Sequence, residues 1–65
     1  MNDLTDIEIE IATLFSKGFN HSDVAKYRGV SKRTIDAQAA RLIEKVGASN
    51  MVETVAILIR EERIP

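Results

Sequence analysis

The side chains that could take part in chemistry are basic, and they lie in the middle of the chain. From position 17 to position 45 the cations are Lys17, Lys26, Arg28, Lys32, Arg33, Arg41 and Lys45. The same stretch has fewer acids, Asp23, Asp36 and Glu44, so it is positive within a chain of formal net charge -1. Closely spaced Lys and Arg suit phosphate groups, and Arg can also pair with the edge of guanine. These residues could bind a nucleic acid, but basic residues on a small helical protein usually form only a solvated surface, so charge alone does not decide between the two.

The chain offers little for catalysis or metal binding. It has no Cys and a single His, His21, so a disulfide framework is absent and a metal site would lack soft ligands. The carboxylates have no nearby nucleophile, and 65 residues leave little room for a substrate pocket. We therefore predict no enzyme activity, no metal and no cofactor, and we interpret His21 as an exposed residue beside a helix cap.

Length and composition indicate one small domain, which we assign to residues 1–65. No segment approaches the roughly 20 apolar residues of a membrane span, and the first residues do not resemble a signal peptide. We therefore predict a soluble cytoplasmic protein without membrane contact. A pI near 5.7 argues against a nucleic-acid binder, because such domains are usually basic. The acids are concentrated toward the two ends, however, which leaves the centre basic.

The apolar residues recur with the period of a helix, and no segment has the alternation of a strand. We predict an all-α fold with helices over residues 6–17, 21–27, 32–46 and 51–62. Each predicted helix follows a residue that favours the N-cap position, namely Thr5, Asn20, Ser31 and Asn50. Thr5 with Glu8, and Asn50 with Glu53, also have the spacing of a capping box.

The second and third predicted helices have the layout of a helix-turn-helix, in which the second of the pair enters the DNA major groove. Gly29 permits the turn, and we expect Val30 to fill the corner between the helices. Helical spacing predicts that one side of the third helix faces the core, at Ile35, Ala39, Leu42 and Val46. The opposite side then holds Arg33, Ala37, Ala40 and Glu44, flanked by Asp36 and Arg41.

Taken in order, these signals resemble the LuxR/FixJ-type DNA-binding domain, a four-helix module at the end of many bacterial transcription regulators. The residues from Leu4 to Ile11 are similar to the family's opening L-T-x-x-E-x-E-V. Residues 30–35 resemble the I-S-x-x-T-V that begins the recognition helix, and residues 42–50 resemble I-L-x-K-L-G-V-x-N. The resemblance runs from Leu4 to about Ile59 without gaps. Because the module begins at Met1, we expect a free-standing module rather than a fragment.

The resemblance implies that the third helix reads DNA, and base contacts usually come from the N-terminal half of such a helix. The candidate base-contacting residues are Arg33, Asp36, Ala37 and Ala40. Many relatives have a basic residue at the position of Asp36. An Asp there either accepts a hydrogen bond from cytosine or repels phosphate and prevents binding, and both interpretations stay open. The candidate phosphate contacts are Lys26, Arg28, Ser31, Lys32, Thr34, Arg41 and Lys45.

The predicted fourth helix has an apolar stripe formed by Val52, Val55, Ala56 and Ile59. Its spacing is compatible with packing on the first helix, and the resemblance implies that it also forms a dimer interface. The leading hypothesis is therefore a transcription regulator that binds double-stranded DNA as a homodimer. The alternative is a protein-interaction module that antagonises a related full-length regulator without binding DNA.

Overall fold

The computed structural model describes residues 3–65, so positions 1 and 2 of the predicted domain lie outside the described residues. The helices are α1 Asp6–Ser16, α2 His21–Arg28, α3 Lys32–Val46 and α4 Met51–Arg60. No strand occurs between residues 3 and 65, and the predicted all-α fold is confirmed. Helix α3 has the predicted bounds. The other three helices end within one or two residues of the predicted position.

Each helix begins at its predicted cap, because a short polar side chain there satisfies a backbone N–H of the first turn. The accepting side chains are those of Thr5, Asn20, Ser31 and Asn50. Asn20 and Asp23 bind each other's backbone N–H groups, at 2.8 and 3.1 Å, and form a capping box that the prediction did not include. Local sequence therefore sets where all four helices start.

One of the two predicted capping boxes is correct and one is displaced. The box of Thr5 and Glu8 is confirmed, since each side chain accepts from the other's backbone N–H. In α4, Asn50 Oδ1 accepts from the Glu53 N–H at 2.8 Å as expected. The Glu53 carboxylate, however, accepts from the Ser49 N–H at 2.7 Å and not from Asn50. The Glu53 side chain therefore caps the N–H of Ser49, the residue before the N-cap.

Helix α4 ends two residues before the predicted Glu62. Glu62 adopts a left-handed conformation with φ 58°, and the Arg63 N–H donates to the Leu58 carbonyl at 2.8 Å. This hydrogen bond closes the helix end in the manner of a Schellman motif, a role that glycine usually has. The turn brings Ile64, only 5% exposed, back into the core. Sequence reasoning missed the turn because Glu gives no signal for a left-handed position.

The core is made from one side of each helix and from Ile64. Its most enclosed large side chains are Ile11, Val24, Ile35, Leu42, Thr54 and Leu58. The predicted inward side of α3 is confirmed, with Ile35, Ala39 and Leu42 buried and Val46 half-buried at the helix end. The expected role of Val30 is wrong, because this side chain is 39% exposed. Residues 29–31 of the turn are all exposed, and the buried residues of α2 are Val24 and Ala25.

The helices are arranged so that the helix-turn-helix rests on α1. Helices α2 and α3 pack against each other, and α1 contacts both of them. Helix α4 packs on α1 and α3 but not directly on α2. The outer side of α3 is therefore left to solvent.

Candidate nucleic-acid interface

The exposed side of α3 carries the side chains that the helical spacing assigned to it. Arg33, Ala37, Ala40 and Glu44 are all exposed, and so are Asp36 and Arg41 beside them. Ser31 begins the helix by accepting from the Thr34 N–H at 3.1 Å. The two hydroxyl groups of Ser31 and Thr34 lie 3.0 Å apart at this exposed end. The surface thus combines two small apolar residues and two hydroxyl groups with the charged side chains of two arginines and two acids.

Three cations around this surface have no ion-pair partner within residues 3–65. They are Lys26 at the end of α2, and Arg33 and Arg41 on α3. Because each side chain is exposed, each can reach a phosphate without losing an internal contact.

Lys45 is engaged inside the protein. Its Nζ lies 2.9 Å from Glu8 Oε1, and both side chains are mostly covered. Burial by itself disfavours the carboxylate. The pKa of Glu8 nevertheless lies below its ordinary value, because the Thr5 backbone N–H and the Lys45 ammonium both stabilise the ionised form. This pair joins the start of α1 to the end of α3.

Arg28 is engaged in a similar way. Its guanidinium donates to the Glu10 carboxylate on α1, which ties the end of α2 to that helix. The Arg28 Nε is buried and has no hydrogen-bond partner among the described residues. Two of the predicted phosphate contacts, Arg28 and Lys45, therefore hold the helix-turn-helix onto α1.

Asp36 has two partners within the domain. Lys32 Nζ lies 3.1 Å from Asp36 Oδ2 and 3.3 Å from Oδ1, one helical turn away. His21 Nδ1, from the start of α2, lies 2.7 Å from the same Oδ1. The hydrogen bonds from Lys32 and His21 lower the pKa of the Asp36 carboxyl. The carboxylate is thus charged and already occupied.

His21 has more contacts than the sequence indicated. Its ring also packs edge-on against Phe15, with 5.1 Å between ring centroids. His21 lies beside the Asn20 cap as predicted, but it is half-buried rather than exposed, because Phe15 and Asp36 contact its ring. No local spacing could have revealed the contact with Asp36, since the two residues are 15 positions apart and meet only when α2 packs on α3.

The apolar stripe of α4 is turned largely away from the core. Val52 is 82% exposed, Ile59 is 45% exposed and Ala56 is also exposed, while Val55 is half-buried. The inward positions are instead Thr54 and Leu58. The interpretation of the stripe as core is therefore wrong for three of its four residues. Sequence reasoning missed Thr54 because its hydroxyl is satisfied locally, by the Asn50 carbonyl at 2.8 Å.

The part of the chain that the structure describes does not support a metal site or a membrane span. Residues 3–65 contain no group of three or more His, Cys, Asp or Glu side chains that could hold a metal ion. None of the helices within that range has the length and apolar character needed to cross a bilayer.

Comparisons with known proteins agree with this geometry. The profile of the bacterial regulatory proteins of the luxR family matches residues 2–58. The chain is 35% identical over 52 residues to the tetrathionate response regulatory protein TtrR of Salmonella typhimurium. That alignment covers 80% of this chain and 25% of the relative, so the chain spans about a quarter of TtrR's length.

The solved structure of the transcription factor GerE has the same fold. It superimposes with a TM-score of 0.88 at 24% sequence identity, over 95% of this chain and 92% of GerE. A helix-turn-helix with an exposed second helix, together with these matches, defines the class as a DNA-binding domain of a bacterial transcription regulator. The chain belongs to the luxR family, which is a family of regulators and not of enzymes.

Proposed function

We propose that the domain regulates transcription by binding double-stranded DNA with α3 in the major groove. The observation that carries this proposal is the exposed side of α3, where Arg33, Ala37 and Ala40 stand clear of the core. A helix of this type enters the groove with its N-terminal half against the bases. This function places the protein in the bacterial cytoplasm, where the DNA is.

Base recognition on this surface rests mainly on Arg33. Among Arg33, Ala37, Ala40 and Glu44, it is the one side chain that can form a bidentate pair with guanine. Ala37 and Ala40 can contact thymine methyl groups but cannot form hydrogen bonds through their side chains. Direct readout is therefore limited, and much of the affinity comes from phosphate contacts.

The phosphate contacts are best assigned to the side chains that are free. Lys26 and Arg41 lack ion-pair partners within residues 3–65, and the hydroxyl groups of Ser31 and Thr34 lie at the helix start. Lys32 shares its charge with Asp36. Contacts from Arg28 and Lys45 to phosphate would require their ion pairs with α1 to open, so we assign those two residues to the scaffold first.

We also propose that two copies associate through α4. The support is the apolar stripe of Val52, Val55, Ala56 and Ile59, most of which is uncovered. Val52 and Val55 also line an apolar groove of about 410 Å³ together with Phe15 and Phe19, so the uncovered surface extends beyond the helix. A two-fold contact would present this stripe to its own copy.

Binding titrations test the DNA-binding proposal. The purified chain is titrated with duplexes from its own upstream region and with a random duplex, at low and at moderate salt. We expect binding that weakens with salt, because phosphate contacts release counterions, and that is tighter for a selected sequence. If no duplex is bound even at low salt, DNA binding by this chain is excluded.

A second function is favoured by the charges that the fold neutralises. Arg28, Lys32 and Lys45 all pair with acids, in a chain of net charge -1. A domain in which several cations beside α3 are neutralised is suited to pairing with a related regulator as an antagonist rather than to binding DNA. In that case the chain binds no duplex, yet it weakens DNA binding by the related regulator when the two are mixed.

A further inference from the structure

The junction between α2 and α3 contains a cluster that the family pattern does not predict. Its members are His21 at the start of α2, and Lys32 and Asp36 in the first turns of α3. Asp36 stands where the resemblance leads us to expect a basic residue. An unpaired carboxylate at that position would face the phosphates of bound DNA and repel them.

Both oxygens of the Asp36 carboxylate are directed toward partners within the domain. Oδ2 accepts from Lys32 at 3.1 Å, and Oδ1 lies 2.7 Å from His21 Nδ1 and 3.3 Å from Lys32. A cytosine amine would have to displace one of these contacts in order to be read. The occupied carboxylate therefore argues against Asp36 as a base reader.

The position of the His21 ring is fixed from the opposite side as well. Phe15 of α1 contacts the ring edge-on, and the groove beside it is completed by Met51, Val52 and Val55 of α4. These neighbours are uncharged. The charged groups that face His21 are Asp36 and Lys32 from α3, and on its own helix Asp23 is held by the Asn20 N–H.

We propose that His21 is a positioning residue for the DNA surface: together with Lys32 it clamps the Asp36 carboxylate and so limits its repulsion of phosphate. This inference rests on the proposed DNA-binding function. In this arrangement the base-reading set is reduced to Arg33, Ala37 and Ala40. Asp36 then determines how strongly the surface attracts DNA and not which sequence it prefers.

Three variants and the wild type test the clamp in DNA titrations. His21→Ala leaves only Lys32 to hold the Asp36 carboxylate and should bind DNA about fivefold more weakly than the wild type. His21→Gln retains a hydrogen-bond donor for the carboxylate and should bind nearly as tightly as the wild type. Ser22→Ala, an exposed neighbour on the same turn, is the control and should also bind like the wild type.

The coupling between the two residues is tested with Asp36→Ala. His21→Ala should weaken DNA binding when Asp36 is present, because the carboxylate is released toward the phosphates. The same substitution should have little effect in the Asp36→Ala background, and Asp36→Ala alone should raise affinity for all sequences alike. Chemical denaturation of each variant checks that it is folded.

The outcomes separate this inference from the function on which it rests. If the wild type binds DNA but His21→Ala binds it equally well, or if His21→Ala weakens binding equally with and without Asp36, the clamp is wrong and the proposed function stands. A change in base preference in Asp36→Ala also overturns the clamp, since it would make Asp36 a reader. If the wild type binds no duplex even at low salt, both the function and the inference fail.

Discussion

The Lys and Arg residues near the proposed DNA surface differ in how readily they can bind a phosphate, although all of them carry one positive charge. Arg33 and Arg41 are exposed and unpaired within residues 3–65, whereas Lys45 is held by Glu8. A cation that already has a buried partner must lose that contact before it can bind a phosphate. Equal charges in the sequence therefore do not imply equal roles at the interface.

Arg33 and Arg41 give the first prediction. Arg33→Ala should cost about 1 to 3 kcal/mol of binding free energy and relax sequence preference at one base position. Arg41→Ala is the matched control. It should weaken binding to all duplexes alike and reduce the salt slope by about one. Titrations on selected and random duplexes at two salt concentrations measure both effects. A uniform loss in Arg33→Ala would show that this residue contacts phosphate only.

The ion pair of Glu8 and Lys45 gives the second prediction. Glu8→Gln removes the charge that Lys45 and the Thr5 N–H stabilise, and it should lower the free energy of unfolding by about 1.5 to 3 kcal/mol near neutral pH. Glu44→Gln is the control, because Glu44 is an exposed carboxylate on α3. It should change stability little.

The same variant has a defined pH dependence. The pKa of Glu8 is lower in the folded protein, so its contribution is complete above the unfolded value of about 4.3 and is lost as pH falls through the folded value. The difference in the free energy of unfolding between wild type and Glu8→Gln should therefore become smaller at acid pH. Denaturation midpoints measured across this range test it, and a constant difference would mean that the pair contributes through packing alone.

Among the elements, α3 has the most predictable orientation. Its core side follows directly from helical spacing, and Leu42 is fully enclosed. Leu42→Ala should lower the free energy of unfolding by about 2 to 5 kcal/mol, since it leaves a cavity in a small core. Val52→Ala removes less apolar surface from a side chain that is 82% exposed, and it should have little effect. Chemical denaturation compares the two. An unchanged midpoint for Leu42→Ala would contradict the assigned orientation.

For α4, the sequence pattern does not predict correctly which side of the helix faces the core. Its helix start follows from Asn50, but the inward side is set by packing against α1 and α3. Two sides of the helix compete, because Val52, Ala56 and Ile59 are more apolar than the buried Thr54. Hydropathy alone selects the more apolar side as core. The true orientation depends on the hydroxyl of Thr54 finding a partner within its own helix.

At the scale of the whole molecule, the fold rearranges the charges of the sequence. The order along the chain gives a basic centre between acidic ends. In the folded protein, Glu8 and Glu10 of α1 neutralise Lys45 and Arg28. The positive surface is therefore smaller than the sequence indicated and is concentrated on Lys26, Arg33 and Arg41. Pairings between distant segments of this kind cannot be read from spacing, whereas caps and helix periods can.

The proposed dimer gives a prediction at the same scale. Ile59→Asp places a charge in the α4 stripe and should give a monomer by sedimentation while remaining folded. Ile7→Asp on α1 is the matched control, because Ile7 is 47% exposed and Ile59 is 45% exposed. It should sediment like the wild type. The dimer is excluded if the wild type is already monomeric at high micromolar concentration, both with and without DNA.

The turn at Glu62 has a consequence for where the domain can be cut. A boundary drawn at the last helical residue, Arg60, would retain every helix and every residue of the proposed DNA surface. It would also remove Ile64, which fills part of the core from beyond the helix. Trimming the chain to its helices, or attaching a fusion partner directly after Arg60, would therefore expose the apolar core side chains that Ile64 covers.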